Sequence, residues 1–345
     1  MKTFHCDKCD NVLFFENVLC GRCGETVAFD PARTAVVTLT DKPLKLCRNY
    51  AQENVCNWAV GANDPLDYCL SCRLTRLIPD LTQPGFRDAW FRMEAAKRRM
   101  IYTLLGLNLP VLSKDVDPAQ GLAFEFKSDS HAAPGEPVLT GHDEGLITLN
   151  VAEANDAERE KRRMDMHEPY RTLLGHFRHE IGHYYWDRLI RDTPRLAEYR
   201  ALFGDESVDY AESLQRHYDQ GPPADWNLSY VSTYATSHPW EDWAETWAHY
   251  LHMIDSLDTA AACGVTLLPS HSDEPVISRI HPDPARERFD RLMKNWFALT
   301  YALNNLNRSM GLQDAYPFVL PDPALAKLRF VHEVISGELA AAAAA

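Results

Sequence analysis

The chain has 345 residues, with 35 Lys and Arg against 49 Asp and Glu, a formal net charge of −14. That balance argues against a phosphate-backbone partner, which needs a cationic surface, and no run of about 18 apolar residues offers a membrane span. With 46% hydrophobic residues, the length suits one medium domain with a packed core plus small accessory modules.

Eight of the nine cysteines lie within the first 72 residues. Cys6-x2-Cys9 and Cys20-x2-Cys23 form a compact four-thiolate set, the spacing of a zinc ribbon or knuckle over residues 1–30. The Gly21 to Gly24 turn suits the tight backbone around such a site. Cys47, Cys56, Cys69 and Cys72 make a looser set within residues 31–80, read as a second structural zinc, with free thiols or an iron site as alternatives. The opening MKTFHCDKCD lacks the apolar stretch of a secretory signal. A reducing, cytoplasmic setting is therefore expected, in which paired CxxC motifs mean metal rather than disulfides. Residues 1–80 hold nine Lys and Arg against ten Asp and Glu, net −1, so the ribbons read as protein-recognition or regulatory modules rather than nucleic-acid binders. Cys263 stands alone and is expected in the core.

Ile78 to Gly85, with two prolines and a glycine, reads as a linker, and a helix is expected from Phe86 to about Leu107. Its basic cluster, Arg92 with Lys97, Arg98 and Arg99, reads as a solvated face, or else as a contact with the acidic domain that follows. GLAFEFKSD (121–129) and GLITLNVAE (145–153) alternate apolar and polar residues and predict strands. Turn signals at Ala133 to Gly135 and Gly141 to Asp143 separate them, and the charged stretch Asp156 to Arg163 is expected to be helical.

Arg171 to Ile190 is apolar at helical spacing and contains His179-Glu180-Ile181-Gly182-His183. Positions i and i+4 of a helix lie nearly one above the other, so both imidazoles reach one cation. Glu180 then stands beside the metal, placed to take a proton from the attacking water. Gly182 costs the helix roughly 1 kcal/mol relative to Ala, which points to close approach by a crossing strand or a substrate.

A zinc hydrolase needs a third protein ligand and an open position. Thr193 to Tyr218 reads as helical, and Gly221 to Trp226 breaks the pattern to begin a loop with Tyr230 and Tyr234. A second strong helix then follows Pro239. On it Glu241 and Glu245 share one face with His249, and Trp240, Trp243, Trp247 and Leu251 form an apolar flank. A carboxylate pair at i and i+4 facing a dication divides into ligand and orienting partner. The spacing leaves open which is which. Further helices are expected over 286–310 and 323–336, and residues 340–345 are a low-complexity alanine tail.

This arrangement resembles the gluzincin metallopeptidases, whose third ligand is a glutamate on a downstream helix. It resembles most the lethal-factor-like branch, where a tyrosine lies seven residues before that glutamate and an Ala-Glu pair follows it. Tyr234, Glu241 and Ala244-Glu245 fit this register. The whole chain is similar to a bacterial family of zinc-binding metallopeptidases with an amino-terminal zinc ribbon. The likeness rests on EAAKRRM (94–100), HEIGHYYW (179–186) and HPWEDWAETWAHYLH (238–252).

The resemblance implies an α+β, zincin-like catalytic domain over 86–339, mainly helical with a small sheet, behind two zinc modules. It implies one catalytic and two structural zinc ions. His179, His183 and Glu241 would hold the catalytic zinc, with Glu180 as general base. Tyr234 would hydrogen-bond the oxyanion, and Glu245 would orient a ligand histidine. His176, His249 and His252 are available for a further histidine near the oxyanion. Gly145 to Val151 is the candidate edge strand for an extended peptide substrate, with an internal strand as the alternative. Two other readings compete with a peptidase. One is a non-catalytic binding module with a relic site, which the intact Glu180, Tyr234 and Glu241 oppose. The other is a nucleic-acid-associated zinc-ribbon protease, which the net charge opposes.

Overall fold

The computed structural model describes residues 2–129, 138, 140–155 and 172–344. The expected turn at Ala133 to Gly135 and the charged stretch Asp156 to Arg163 lie outside the described residues. The chain forms two compact units: one runs to Asn155 and takes in residues 172–180, and the other begins at Ile181. Among the described residues no helix is long and apolar enough to cross a membrane.

The first unit opens with β1 (Phe4–His5) and β2 (Val12–Leu13), an antiparallel pair. Asp10, at φ 59°, closes the knuckle between them by donating its N–H to the Cys6 carbonyl at 2.8 Å. A hairpin of β3 (Val27–Asp30) and β4 (Ala35–Thr38) follows. Next, β5 (Leu44–Leu46) and β6 (Ala59–Gly61) pair around the short helix α1 (Arg48–Ala51), and α2 (Leu70–Arg73) leads into β7 (Thr75–Leu77). Chains this short cannot bury enough surface alone, and the cysteine modules share one core. Phe15 and Phe29 meet Trp58 and Tyr102, the last on helix α3 (Phe86–Gly106), with ring centroids 4.8 to 6.4 Å apart.

β7 is also the first strand of a four-stranded sheet with β8 (Ala123–Lys127), β9 (Gly141–Asp143) and β10 (Leu146–Asn150), in the order β7-β8-β10-β9. The strand expected at the edge is therefore internal. β10 lies parallel to β8 on one side and antiparallel to β9 on the other. The cause is the turn ahead of it. Glu144 (φ 47°) and Gly145 (φ 87°) are both left-handed, and Asp143 faces Leu146, the geometry of a two-residue type I′ hairpin. What reads as a turn at Gly141 to Asp143 is the outer strand of that hairpin.

Half of the basic cluster on α3, Lys97 and Arg98, is buried rather than solvated. Lys97 is 0% and Arg98 3% exposed, and both are ion-paired with Glu94, itself fully buried. Lys97 also donates to Thr75 on β7 and lies over the rings of Phe124 and Phe126. Arg98 donates to the Val55 carbonyl at 2.8 Å. Burial works against its charge, but Cys56, Glu94, Cys72 and Cys69 outweigh that and hold the guanidinium pKa above its usual value. Buried charges persist when paired and hydrogen-bonded. Arg92 caps the 3₁₀ turn Val151–Ala154 through the Ala154 carbonyl, and Arg99 pairs at the surface with Glu16.

The unit boundary falls within one continuous helix, α4 (Leu173–Leu189). In the second unit, the stretch expected as one helix over 193–218 is two, α5 (Leu196–Phe203) and α6 (Tyr210–Gln220). Gly204, at φ 104°, ends the first, and Asp209 caps the second by accepting from the Glu212 N–H. Helix α7 (Pro239–Ala262) is the core of this unit, with Trp243, Ala244, Trp247, Tyr250 and Leu251 all at 0% exposure.

It crosses α4 closely at Gly182. A Cβ there would stand 3.0 Å from the Ala244 Cα and 3.2 Å from the Trp247 Cβ. Trp243 Nε1 donates to the Gly182 carbonyl at 2.8 Å. The glycine is thus required by a helix, not by the strand or substrate expected. Helices α8 (Phe289–Ser309) and α9 (Asp322–Ala344) complete the unit, and α9 continues into the alanine run. Cys263, expected in the core, is exposed: it follows α7 directly, ahead of the left-handed Gly264 where the chain turns away.

Candidate metal centres and catalytic site

Four sulfurs around a tetrahedral zinc with bonds of about 2.3 Å lie about 3.8 Å from one another. In the first cysteine set Cys6 and Cys23 are 3.7 Å apart and Cys9 and Cys20 3.6 Å; in the second, Cys56 and Cys69 are 3.7 Å apart. A disulfide holds its sulfurs at about 2.05 Å, and every cysteine is a free thiol. Backbone N–H groups also point at sulfur, from Trp58 to Cys56 at 3.4 Å and from Cys69 to Cys47 at 3.3 Å. Both quartets therefore fit zinc as thiolates.

The third constellation is built on α4 and α7. His179 and His183 stand one turn apart on α4, with Glu180 between them at 8% exposure. Pro239 at the start of α7 and the capping side chain of His238 place Glu241 in that helix's first turn. His183 Nε2 and Glu241 Oε2 are 3.5 Å apart, and both residues are buried, at 3% and 1% exposure. Zinc bonds of about 2.0 to 2.2 Å set tetrahedral donors about 3.3 to 3.6 Å apart. One ligand atom from each of His179, His183 and Glu241 lies within 4.8 Å of the others. The Trp240 ring covers the His183 imidazole, centroids 3.7 Å apart.

The two carboxylates of α7 have different neighbours. Glu241 Oε1 accepts a 2.7 Å hydrogen bond from the Tyr210 hydroxyl of α6. Glu245 accepts from Ser232 Oγ at 2.6 Å, and that oxygen in turn accepts from the Ala235 N–H. Tyr234 opens the 3₁₀ turn Tyr234–Thr236 ahead of α7, its ring edge-on to His217. The remaining histidines are placed by other partners. His176 pairs with the buried Glu153. His249 bonds the Tyr316 hydroxyl at 2.8 Å, burial pushes its pKa down to about 4, and His252 stacks on the same tyrosine.

Tyr210 escapes a reading of the sequence. It lies 31 residues before Glu241, and no local periodicity joins a helix start to a carboxylate so far along the chain. The only local signal is Asp209, whose cap fixes where α6 begins.

A mixed helix and small-sheet chain, with a zinc-ribbon region followed by helices that carry a cluster able to hold a metal, defines a zinc-ribbon protein with a metallopeptidase domain. The chain belongs to the family described as "Putative zinc-binding metallo-peptidase", whose profile matches residues 86–334, and residues 3–83 match a zinc-ribbon domain family. An uncharacterized protein of Mycobacterium bovis and one of Mycobacterium tuberculosis are each 45% identical to it over 337 residues, 97% of this chain and 95% of the relative. No solved structure matches. The family supports a peptide or protein substrate and zinc as the metal.

Proposed function

We propose that the chain is a zinc-dependent peptidase with three zinc ions, two structural in the cysteine quartets and one catalytic on His179, His183 and Glu241. The observation that carries this reading is the buried pairing of His183 with Glu241 at 3.5 Å, one turn of α4 from His179 and beside Glu180. Zinc held there would lower the pKa of a water molecule towards ~7 and polarise the scissile carbonyl. Glu180 accepts the proton of the attacking water and delivers it to the leaving amine. Tyr234, in the turn that enters α7, donates to the oxyanion of the tetrahedral intermediate. Glu245 orients a ligand histidine, and its bond to Ser232 holds its carboxylate still. The substrate is a peptide or protein, and the ribbons serve as docking modules for a protein partner in the cytoplasm.

The test is a mixed peptide library incubated with the purified protein and read by mass spectrometry. New termini should accumulate, disappear after treatment with a zinc chelator, and return when zinc is restored. Cleavage that survives complete removal of zinc from all three sites would reject the proposal.

A further inference from the structure

We infer that Tyr210 is a positioning residue for the third metal ligand, fixing which oxygen of Glu241 faces the metal; this rests on the catalytic reading above. A carboxylate binds a metal through one oxygen or both, and a donor bonded to one oxygen selects the other. The Tyr210 hydroxyl occupies Oε1 at 2.7 Å, while Oε2 is the atom 3.5 Å from His183 Nε2. With Oε1 taken up by that bond, Oε2 is the oxygen that Glu241 would present to a metal, and three protein donors would leave the fourth position of a tetrahedral shell for water or substrate.

The tyrosine is itself held. His238 caps α7 by accepting the Trp240 N–H on Nδ1 at 3.1 Å, and its Nε2 donates to the Val208 carbonyl at 3.2 Å. The two bonds together require the Nε2–H tautomer of a neutral imidazole. One histidine so pins the start of the ligand helix to the segment that leads into α6. The Tyr210 ring then packs edge-on against His238 and against Trp240, which covers His183. Asp209 caps α6 one residue earlier, so the position of Tyr210 along that helix is fixed as well. The hydroxyl reaches the ligand from an element otherwise outside the HExxH helix and the glutamate helix. Part of the metal affinity therefore resides in α6.

The full-length protein and its Tyr210→Phe variant separate this role from a packing role, because the ring is kept and only the hydroxyl goes. Zinc at the third site is titrated against a competing chelator, and cobalt is exchanged into that site for its visible absorption spectrum. The variant should bind zinc about 10- to 100-fold more weakly there and show altered cobalt bands, as Glu241 becomes free to use both oxygens. The two cysteine-held zinc ions should stay, which reports an intact fold. Tyr218→Phe on the same helix should change neither reading. Unchanged affinity and spectrum in Tyr210→Phe, with a normal third site in the parent, would overturn the assignment of Tyr210 alone. A parent with no third metal would overturn it together with the catalytic reading.

Discussion

Exchanging Glu180 for glutamine is expected to lower kcat/KM for peptide cleavage by at least about 10²- to 10⁴-fold, the range that a positioned general base contributes. Zinc should remain bound. Glutamine keeps the size and planar head of glutamate, and at 8% exposure the site has little room for a larger change. It lacks only the ability to accept a proton. His179 and His183 stay one turn apart on α4 whichever residue separates them. The outcome to look for is a variant that holds zinc with the parent's stoichiometry and melts like the parent, yet turns over almost no substrate. Turnover close to the parent's would remove Glu180 from its role as base.

A second large effect lies away from the chemistry. Lys327 of α9 donates to Asp242 Oδ2 at 2.6 Å and to the Ser229 carbonyl at 3.0 Å, with its ammonium 4.1 Å from the centre of the Tyr230 ring. Both partners are sealed from water, Asp242 at 0% and Lys327 at 5% exposure. Burial pushes the Asp242 carboxyl up to about 7, while the ammonium beside it favours the charged form. Lys327→Met removes the ammonium and strands the carboxylate, a loss of about 3 to 5 kcal/mol for a buried pair broken on one side. Urea unfolding should show that loss. The double variant Lys327→Met with Asp242→Leu should recover much of it, since replacing both partners by apolar groups is far milder than leaving one alone. A single variant as stable as the parent would contradict the pair's importance. The pair also matters to the site, because Asp242 follows Glu241 and its bond ties the first turn of α7 to α9.

What the sequence makes legible is whatever lies within one or two turns of a helix or one short loop. The Cys-x2-Cys pairs, the two histidines of α4 and the apolar flank of α7 are all of this kind, and each appears where its spacing puts it. The partners of those elements are less legible, because they are joined by packing rather than by periodicity. Lys97 and Arg98 read as solvated, since charge in a helix usually is; Glu94 one turn earlier is their local partner, but the Val55 carbonyl and two phenylalanine rings come from elsewhere and make burial tolerable. Gly141 to Asp143 is too short and polar to read as a strand, yet its presence turns β10 from an edge into an interior strand. Gly182 announces a close approach but not by what, and the answer is Ala244 of α7. Tyr210 carries no signal beyond the Asp209 cap before it, because a hydroxyl meeting a carboxylate 31 residues on is a property of the fold.

The spacing of the two glutamates on α7 leaves the third ligand open, and the structure separates them by their partners, Tyr210 for Glu241 and Ser232 for Glu245. The most direct measurement is therefore zinc per chain, by elemental analysis of the purified protein and of its Glu241→Ala and Glu245→Ala variants. The three ligand sets among the described residues should give about three zinc ions in the parent, falling to about two in Glu241→Ala and staying near three in Glu245→Ala. Two zinc ions in the parent, unmoved by either substitution, would mean that only the cysteine quartets bind metal and would contradict the peptidase assignment.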